Sequence, residues 1–291
     1  MAYLFLAIAS SFAISLLIKD NETRGVDTEV VLASNYLSAG AVGWLFVLVG
    51  GSGTAAGFDI SRETLRLGLG GSLLWPGAFY LQMWGIRRYG VSLAGSVARL
   101  SLSIPVLFAL LFLGERFTST TVLGISGAFA AFLLLSPFTN HHTPTPTLDR
   151  TALWYFPTLL VVFGCVDLWA NLYTVWAPGD ERFLFMVIIF SGAGLLAWAA
   201  VLVRGRKVAR SAVSRGLLLG IPNFFSTYFL MESLRTPALQ GHSAIVYAVY
   251  SALGVVLAFL AGRIFWQEPL NARNRVGVVI AVAAVVLLNL R

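Results

Sequence analysis

The sequence has few charged residues for its length. Asp, Glu, Lys and Arg together make up 11% of the 291 residues, whereas 58% of the residues are hydrophobic. Soluble globular domains carry about 25% charged residues, so an ordinary soluble domain is excluded. The composition predicts an integral membrane protein that consists of apolar helices.

Cysteine and histidine are too scarce for a disulfide or for a metal centre. The single cysteine, Cys165, lies in an apolar run, and one cysteine cannot form an intrachain disulfide. His141 and His142 lie in a polar segment with two prolines, and His242 is the third and last histidine. These positions give no cluster with metal-ligand spacing, so we expect neither a metal site nor a cofactor.

Signatures of catalysis and of nucleotide binding are missing as well. No serine lies with a plausible histidine and acid in one membrane layer, which argues against an intramembrane protease. The glycine-rich run 51–57 lacks the spacing and the Lys-Ser/Thr pair of a phosphate-binding loop. We therefore expect no catalytic residues and no enzymatic activity. The net charge of +7 arises from short loops between apolar segments, so no nucleic acid partner is expected.

Apolar segments long enough to span a membrane recur along the whole chain. About 20 apolar residues cross a hydrocarbon core about 30 Å thick. The first segment lacks a basic n-region and a cleavage site, so we expect a membrane helix there rather than a removed signal peptide. The sequence predicts ten transmembrane helices, at 2–18, 29–50, 66–86, 92–113, 120–136, 153–173, 182–203, 215–234, 242–262 and 273–290.

The ten predicted helices form two sets of five. We assign a first repeat to residues 1–138, a linker to 139–149 and a second repeat to 150–291, because the linker has prolines and no apolar run. An odd number of spans in each repeat brings the second repeat in from the opposite side of the membrane. The fold class predicted is therefore an all-α membrane protein with two inverted five-helix repeats around a central cavity. Such internal duplication is typical of transporters, whose substrate site lies between the repeats.

The loops that carry lysine and arginine predict an orientation. About two thirds of these residues lie on the side of the membrane opposite the termini, including those in the loop from Arg204 to Arg215. Cytoplasmic loops carry the excess of positive charge in membrane proteins. This rule predicts external termini and a cytoplasmic Arg204–Arg215 loop.

Arg99 is a charged residue inside a predicted membrane helix. It lies about 10 Å along the helix from the predicted cytoplasmic end, at 1.5 Å per residue. Insertion of a charge near the bilayer centre costs about 2.5–3.5 kcal/mol, so such a residue usually faces a cavity or a partner. A long arginine at this depth can also extend to the nearer interface, so a substrate contact and simple snorkelling both stay open.

Asp167 is an acidic residue inside a predicted membrane helix of the second half. Its depth is about 21 Å from the same face, and Asn171 lies one turn further along the same helix face. The difference of roughly 10 Å from Arg99 exceeds the reach of a direct salt bridge. A carboxyl group at this position either carries a coupling proton or binds a cation, or it forms hydrogen bonds between helices.

Other polar and aromatic residues fall into two layers at these depths. Asn35, Tyr36 and Tyr80 are level with Arg99, and Tyr228 and Tyr247 are level with Asp167. Taken singly, each aromatic residue also suits ordinary packing or an interfacial belt. We predict a substrate site from eight residues: Asn35, Tyr36, Tyr80, Arg99, Asp167, Asn171, Tyr228 and Tyr247.

A short motif occurs once in each half. Leu113-Gly114-Glu115-Arg116 is followed by Gly124, and Trp266-Gln267-Glu268-Pro269 is followed by Gly277, each glycine nine residues after its glutamate. With ten spans in two sets of five, these turns resemble the paired EamA-type repeats of the drug/metabolite transporter superfamily, over nearly the whole chain. The resemblance implies ten helices around a cavity and alternating access. It also implies movement of amino acids, other metabolites, sugar derivatives or toxic compounds, often outward.

Two features depart from the resemblance. The superfamily usually has cytoplasmic termini, whereas the loop charges here predict external ones. The second repeat has no arginine aligned with Arg99, and Ala252 is near the equivalent position. A cavity between the repeats is therefore expected to be electrically asymmetric.

These observations predict a multi-pass secondary transporter of a bacterial inner membrane, an exporter of an amino acid-like or other carboxylate- or phosphate-bearing solute. The alternative is efflux of cationic compounds with Asp167 as the anchor and aromatic rings stacked on the solute.

A membrane receptor and a lipid-modifying enzyme are alternatives from other classes. The predicted partners are the solute, the bilayer and a coupling proton or exchanged solute, and the chain is expected to be a monomer or weak dimer.

Overall fold

The computed structural model describes residues 2–49, 60–89, 101, 103–112, 118–135, 150–177, 179–266 and 272–289. Within these ranges the chain contains ten α-helices, one short 3-10 segment at Gly179–Glu181 and no strand. The prediction of an all-helical chain is confirmed for this part of the molecule.

The helices follow one another in the order expected from the apolar segments. Three of them, at Thr28–Val49, Arg150–Trp176 and Arg182–Val203, are long and apolar enough to cross a membrane, which is consistent with a helical membrane protein. The number of spans and the repeat layout stay predictions. The helices are α1 (Ala2–Thr23), α2 (Thr28–Val49), α3 (Arg62–Tyr89), α4 (Ser103–Phe112), α5 (Ser119–Leu135), α6 (Arg150–Trp176), α7 (Arg182–Val203), α8 (Arg210–Arg235), α9 (Ser243–Trp266) and α10 (Ala272–Asn289).

Several parts of the sequence prediction lie outside the described residues. Arg99 is among them, as is most of the first half of the predicted helix at 92–113. The duplicated turns, with Glu115 and Glu268, the predicted linker at 139–149 and the glycine-rich run 51–57 also lie outside.

Helix α3 begins with polar residues that precede its apolar segment. The carboxylate of Glu181 accepts hydrogen bonds from the Ser61 backbone N–H at 3.1 Å and from the Ser61 hydroxyl at 2.7 Å. The Ser61 hydroxyl oxygen in turn accepts a bond from the backbone N–H of Thr64 at 3.2 Å. These bonds satisfy N–H groups that a helix leaves without intrahelical partners in its first turn, so the helix starts at Arg62.

The chain divides into two compact units. The first unit comprises Met1–Gly77 and Trp169–Glu232, and the second comprises Ala78–Leu168 and Ser233–Arg291. Each unit combines a stretch from each half of the sequence. The units are therefore defined by packing and differ from the two predicted repeats, whose boundaries stay a prediction.

The core of the first unit surrounds α2. All residues from Glu29 to Tyr36 on this helix are buried, and α2 packs along α7. On α8, the Cα atoms of Gly216 and Gly220 lie so close to α2 that an added Cβ would collide with the backbone carbonyl oxygens of Val31 and Asn35. Small residues allow this close approach of helix backbones, which is how helices associate in an apolar environment.

The second unit is organised around α5, α9 and α10. Helix α5 packs along α10 and α9, and α9 also contacts α4. On α6, the Tyr155 side chain packs in a cluster with Leu159 and Leu81, and its hydroxyl donates a hydrogen bond to the Leu81 carbonyl oxygen at 3.1 Å. This bond fixes the first part of α6 against the last part of α3.

Candidate functional site

Asp167 is an acidic residue within the long apolar helix α6. In the second unit, the Ser101 hydroxyl donates a long hydrogen bond of 3.5 Å to Asp167 Oδ2. The Tyr247 hydroxyl donates a hydrogen bond to the backbone carbonyl oxygen of Asp167 at 2.9 Å. Ser101 and Tyr247 are fully buried, whereas Asp167 keeps partial exposure. Asp167 and Tyr247, which the sequence analysis placed at the same depth, are therefore in direct contact.

The surroundings of the Asp167 carboxyl are polar but supply no described cation. Among the residues that the structure describes, no Lys, Arg or His forms an ion pair with Asp167. The Ser101 hydroxyl at 3.5 Å is at the long limit for a hydrogen bond and is a weak donor. The carboxylate oxygens can thus accept further bonds from a cation, from a proton or from a solute.

Asn171 carries a buried amide one turn further along α6. Its side chain is 2% exposed, and its Oδ1 lies 3.5 Å from the Thr174 hydroxyl. Its Nδ2 has no hydrogen-bond partner in the described part of the chain. A buried donor without a partner costs about 1–3 kcal/mol, so this amide is suited to a solute oxygen or to a water molecule.

The two polar residues predicted on α2 lie in the core of the first unit. Asn35 Oδ1 accepts a hydrogen bond from Asn223 Nδ2 on α8 at 3.2 Å, and Asn35 is 1% exposed. Tyr36 is equally buried, and its ring centroid lies 6.5 Å from that of Phe190 on α7. The depth arithmetic did not indicate Asn223, although this residue follows Pro222 inside an apolar helix and is as unusual there as Asn35.

Tyr228 belongs to a group of aromatic rings in the first unit, which we call the aromatic cluster. Its ring is stacked on that of Phe183 with centroids 5.4 Å apart, and Phe183 is stacked on Phe46 at 5.2 Å. Phe46 in turn lies 5.7 Å from Phe224. The cluster consists of Phe46, Phe183, Phe224, Phe225, Tyr228 and Phe229.

An ion pair adjoins the aromatic cluster. Arg182 Nε lies 3.3 Å from Glu232 Oε1, and the guanidinium carbon of Arg182 lies 5.2 Å from the Phe183 ring centroid and 5.9 Å from that of Tyr228. Neither Arg182 nor Glu232 was among the residues predicted for a site. The signal available in the sequence was the spacing of Tyr228 and Glu232, four residues apart and on one face of α8.

A network of charges lies at the end of the first unit where α2 begins. Arg206, in the loop between α7 and α8, donates two hydrogen bonds to Glu29, from Nε to Oε2 at 3.1 Å and from Nη2 to Oε1 at 2.6 Å. Arg215 Nη1 donates to Asp20 Oδ2 at 2.6 Å and to Asn21 Oδ1 at 2.8 Å. Arg206 in this loop and Arg215 in the first turns of α8, which the sequence analysis treated as orientation signals, also join helix ends.

The predicted residues are thus distributed over both units. Asp167, Tyr247 and the partly buried Tyr80 lie in the second unit, whereas Asn35, Tyr36, Asn171 and Tyr228 lie in the first. Arg99 lies outside the described residues. Within the described ranges, no group of three His, Cys, Asp or Glu residues lies close enough to hold a metal ion.

The described helices define the class of the protein as all-helical, with the composition of a membrane protein, and comparisons with known proteins extend this result. No protein-family model matches the chain. It is similar to an uncharacterised protein of Haemophilus influenzae, with 24% identity over 98% of this chain and 96% of the relative. A crystal structure with 16% sequence identity shares the fold, with a TM-score of 0.76 over 100% of this chain and 99% of that chain.

A shorter relative carries a functional name. The chain is 32% identical over 108 residues to the multidrug resistance protein EbrA of Bacillus licheniformis, and the match covers 37% of this chain and 93% of the relative. At this identity, over nearly the whole of EbrA, the matched stretch of the chain belongs to the same protein family as EbrA.

Proposed function

We propose that the chain is a secondary-active transporter of the bacterial inner membrane that exports small organic solutes, and that Asp167 binds the cationic group of the solute or the proton exchanged for it. The observation that carries this proposal is the Asp167 carboxyl within α6, next to Ser101 and without an ion pair among the described residues. The similarity of the chain to a protein named for multidrug resistance supports the proposal that it is a transporter. Membership of the drug/metabolite transporter superfamily is part of the proposal.

The physical reason is the cost of a carboxylate in an apolar segment. A charged group there usually faces a cavity or pairs with an opposite charge, because it loses its hydration. A proton neutralises Asp167, and a cationic solute compensates its charge. Both cannot bind at the same time, so arrival of a proton displaces the solute. Exchange of one for the other then couples export to the proton gradient by alternating access.

Transport in proteoliposomes tests the proposal. Purified protein is reconstituted, a pH gradient is imposed, and movement of tetraphenylphosphonium, a lipophilic aromatic cation, is followed. Asp167→Asn is expected to abolish gradient-driven transport, and Asp167→Glu to retain part of it. Glu63→Gln, which removes an exposed carboxylate from α3, is the matched control and is expected to transport normally. Undiminished transport by Asp167→Asn would contradict the assignment.

A second candidate is the export of an amino acid-like or other carboxylate- or phosphate-bearing solute. It is favoured by Arg99, a cation in an apolar segment of the sequence, together with the polar residues Asn35 and Tyr80. A ligand that binds only the folded protein raises its melting temperature. Stabilisation by amino acids, organic acids or sugar phosphates that disappears in Arg99→Ala would favour this candidate. Stabilisation only by cations that is lost in Asp167→Asn would favour the first.

A further inference from the structure

The aromatic cluster offers flat ring faces next to a carboxylate. Phe46, Phe183 and Tyr228 are nearly parallel, with interplanar angles of 9° and 18° between neighbours, and none of the three rings is fully buried. Glu232 lies one helical turn after Tyr228 on α8. Aromatic faces attract cations through their quadrupole, and a nearby carboxylate adds direct charge attraction.

The guanidinium of Arg182 is a planar cation that already lies beside the rings of Phe183 and Tyr228 and the carboxylate of Glu232. Its guanidinium carbon lies 5.2 Å and 5.9 Å from the Phe183 and Tyr228 centroids, within the range of cation–π contacts, while Nε is 3.3 Å from Glu232 Oε1. The side chains of the ion pair are 32% and 14% exposed, whereas the two contact atoms, Arg182 Nε and Glu232 Oε1, are themselves buried.

We propose that Tyr228, Phe183 and Glu232 form a binding site for aromatic organic cations, which Arg182 occupies as an internal counter-ion until a solute displaces it. The guanidinium and the solute cation make the same two kinds of contact and therefore compete. An aromatic cation also covers more ring surface than the guanidinium does. Because the contact atoms are buried, Glu232 needs a positive charge beside it when the arginine leaves, and an aromatic cation supplies that charge.

The role of this binding site in transport rests on the proposed function, because the site would hold a solute that the protein exports. Its three residues all lie in the first unit, whereas Asp167 lies in the second. The ligand class that this proposal assigns to the aromatic cluster is an aromatic group with a positive charge.

Binding of tetraphenylphosphonium to the purified full-length protein in detergent micelles, followed by equilibrium dialysis, tests the site. Arg182→Ala removes the internal competitor and is expected to bind the probe about ten-fold more tightly. Arg62→Ala removes an exposed arginine at the start of α3 and is the matched control for net charge. An affinity of Arg182→Ala equal to or below that of Arg62→Ala would overturn the proposal.

Removal of the carboxylate gives the opposite expectation. Glu232→Gln is expected to weaken binding of the cation at least about ten-fold, with Glu63→Gln as the control. Binding of neutral triphenylphosphine oxide should not respond to Glu232→Gln. If Glu232→Gln does not fold, Tyr228→Leu and Tyr228→Phe replace it, since only the phenylalanine keeps the ring face. Equal binding by Glu232→Gln and Glu63→Gln, or by both Tyr228 variants, would contradict the site.

The two proposals fail in different measurements. If Asp167→Asn transports normally, the proposed role of Asp167 in coupling is wrong, while the response of binding to Arg182→Ala and Glu232→Gln still supports the site. If transport depends on Asp167 but tetraphenylphosphonium binding is unchanged in both Arg182→Ala and Glu232→Gln, the proposed cation site is wrong, while the proposed role of Asp167 in coupling is still supported.

Discussion

The guanidinium of Arg206 holds the buried carboxylate of Glu29 through two hydrogen bonds, at 3.1 Å and 2.6 Å. Glu29 is 2% exposed, whereas the Arg206 side chain is 35% exposed. Arg204 Nη1 lies 3.4 Å from the same carboxylate. A buried carboxylate requires such partners because burial removes its hydration. The loop after α7 is therefore joined to the start of α2 by a charged contact.

Arg206→Ala is expected to destabilise the protein because Glu29 loses both hydrogen bonds while it stays buried. Breaking a buried ion pair costs about 3–5 kcal/mol, and we expect roughly 2 kcal/mol here because Arg206 is partly exposed and Arg204 remains. Thermal unfolding in detergent measures the change. Lys207→Ala, in the same loop and exposed, is the control and should be nearly neutral.

A double substitution separates the ion pair from other effects. If the pair carries the loss, Glu29→Gln combined with Arg206→Ala should cost less than the sum of the two single substitutions. Strictly additive losses would show that Arg206 and Glu29 act independently and would contradict the account of a coupled contact.

Gly216→Ala and Gly220→Ala are expected to destabilise the first unit. Each new methyl group would collide with a backbone carbonyl oxygen of α2, at Val31 and at Asn35, and backbone atoms cannot turn aside as a flexible side chain can. Overpacking of this kind costs roughly 1–3 kcal/mol. Gly77→Ala is the control, because a Cβ at Gly77 meets no atom within 4 Å. It should be neutral or slightly stabilising, since alanine favours a helix.

Unfolding measurements on these three variants test whether α8 packs closely on α2 at Gly216 and Gly220. A loss of stability in Gly216→Ala and Gly220→Ala but not in Gly77→Ala would support close packing of α8 on α2. Equal stability of all three would contradict it.

Hydropathy located the helices well, and polar contacts explain where it failed. The predicted helix at 182–203 coincides with α7, because its apolar segment has a charged residue at each end. Helix α3 instead begins at Arg62, before the predicted position 66, since Ser61 and Glu181 cap a polar first turn. A window of apolar residues does not report caps that come from distant parts of the chain.

Depth along the helices indicated one contact between two of the predicted site residues. Asp167 and Tyr247 were placed at one level, and a hydrogen bond joins the Tyr247 hydroxyl to the Asp167 backbone. Glu232 and Arg182 were missed because their pairing depends on how α7 and α8 pack, and neither has an isolated position within an apolar run. Rotation and contact between helices are tertiary properties, which spacing in one helix does not determine.

Acid is expected to weaken the link between Asp20 and Arg215. The Arg215 guanidinium, and then that of Arg24, hold the pKa of Asp20 below its ordinary value of 3.8. Because the folded-state pKa is the lower one, the contribution of this pair to stability is complete above the unfolded-state pKa. It is lost as the pH falls through the folded-state pKa.

Melting temperatures from roughly pH 6 down to pH 2 test this link. Asp20→Asn should melt below the wild type at the upper end, and the difference should disappear at the lower end. Arg215→Gln should show the same convergence. A difference that is independent of pH would contradict the role of the Asp20 charge.

The two hydroxyl contacts of Asp167 are expected to differ in strength, and their lengths give the reason. Tyr247→Phe removes a hydrogen bond of 2.9 Å that a buried hydroxyl donates and should cost about 1 kcal/mol of stability. Ser101→Ala removes a contact of 3.5 Å, which is near the limit of a hydrogen bond, and loss of this contact should cost less than about 0.5 kcal/mol. Thermal unfolding of the two variants gives this comparison. A larger loss in Ser101→Ala would mean that the Ser101 hydroxyl is a principal donor to the Asp167 carboxylate, and a solute or proton would then have to compete with it.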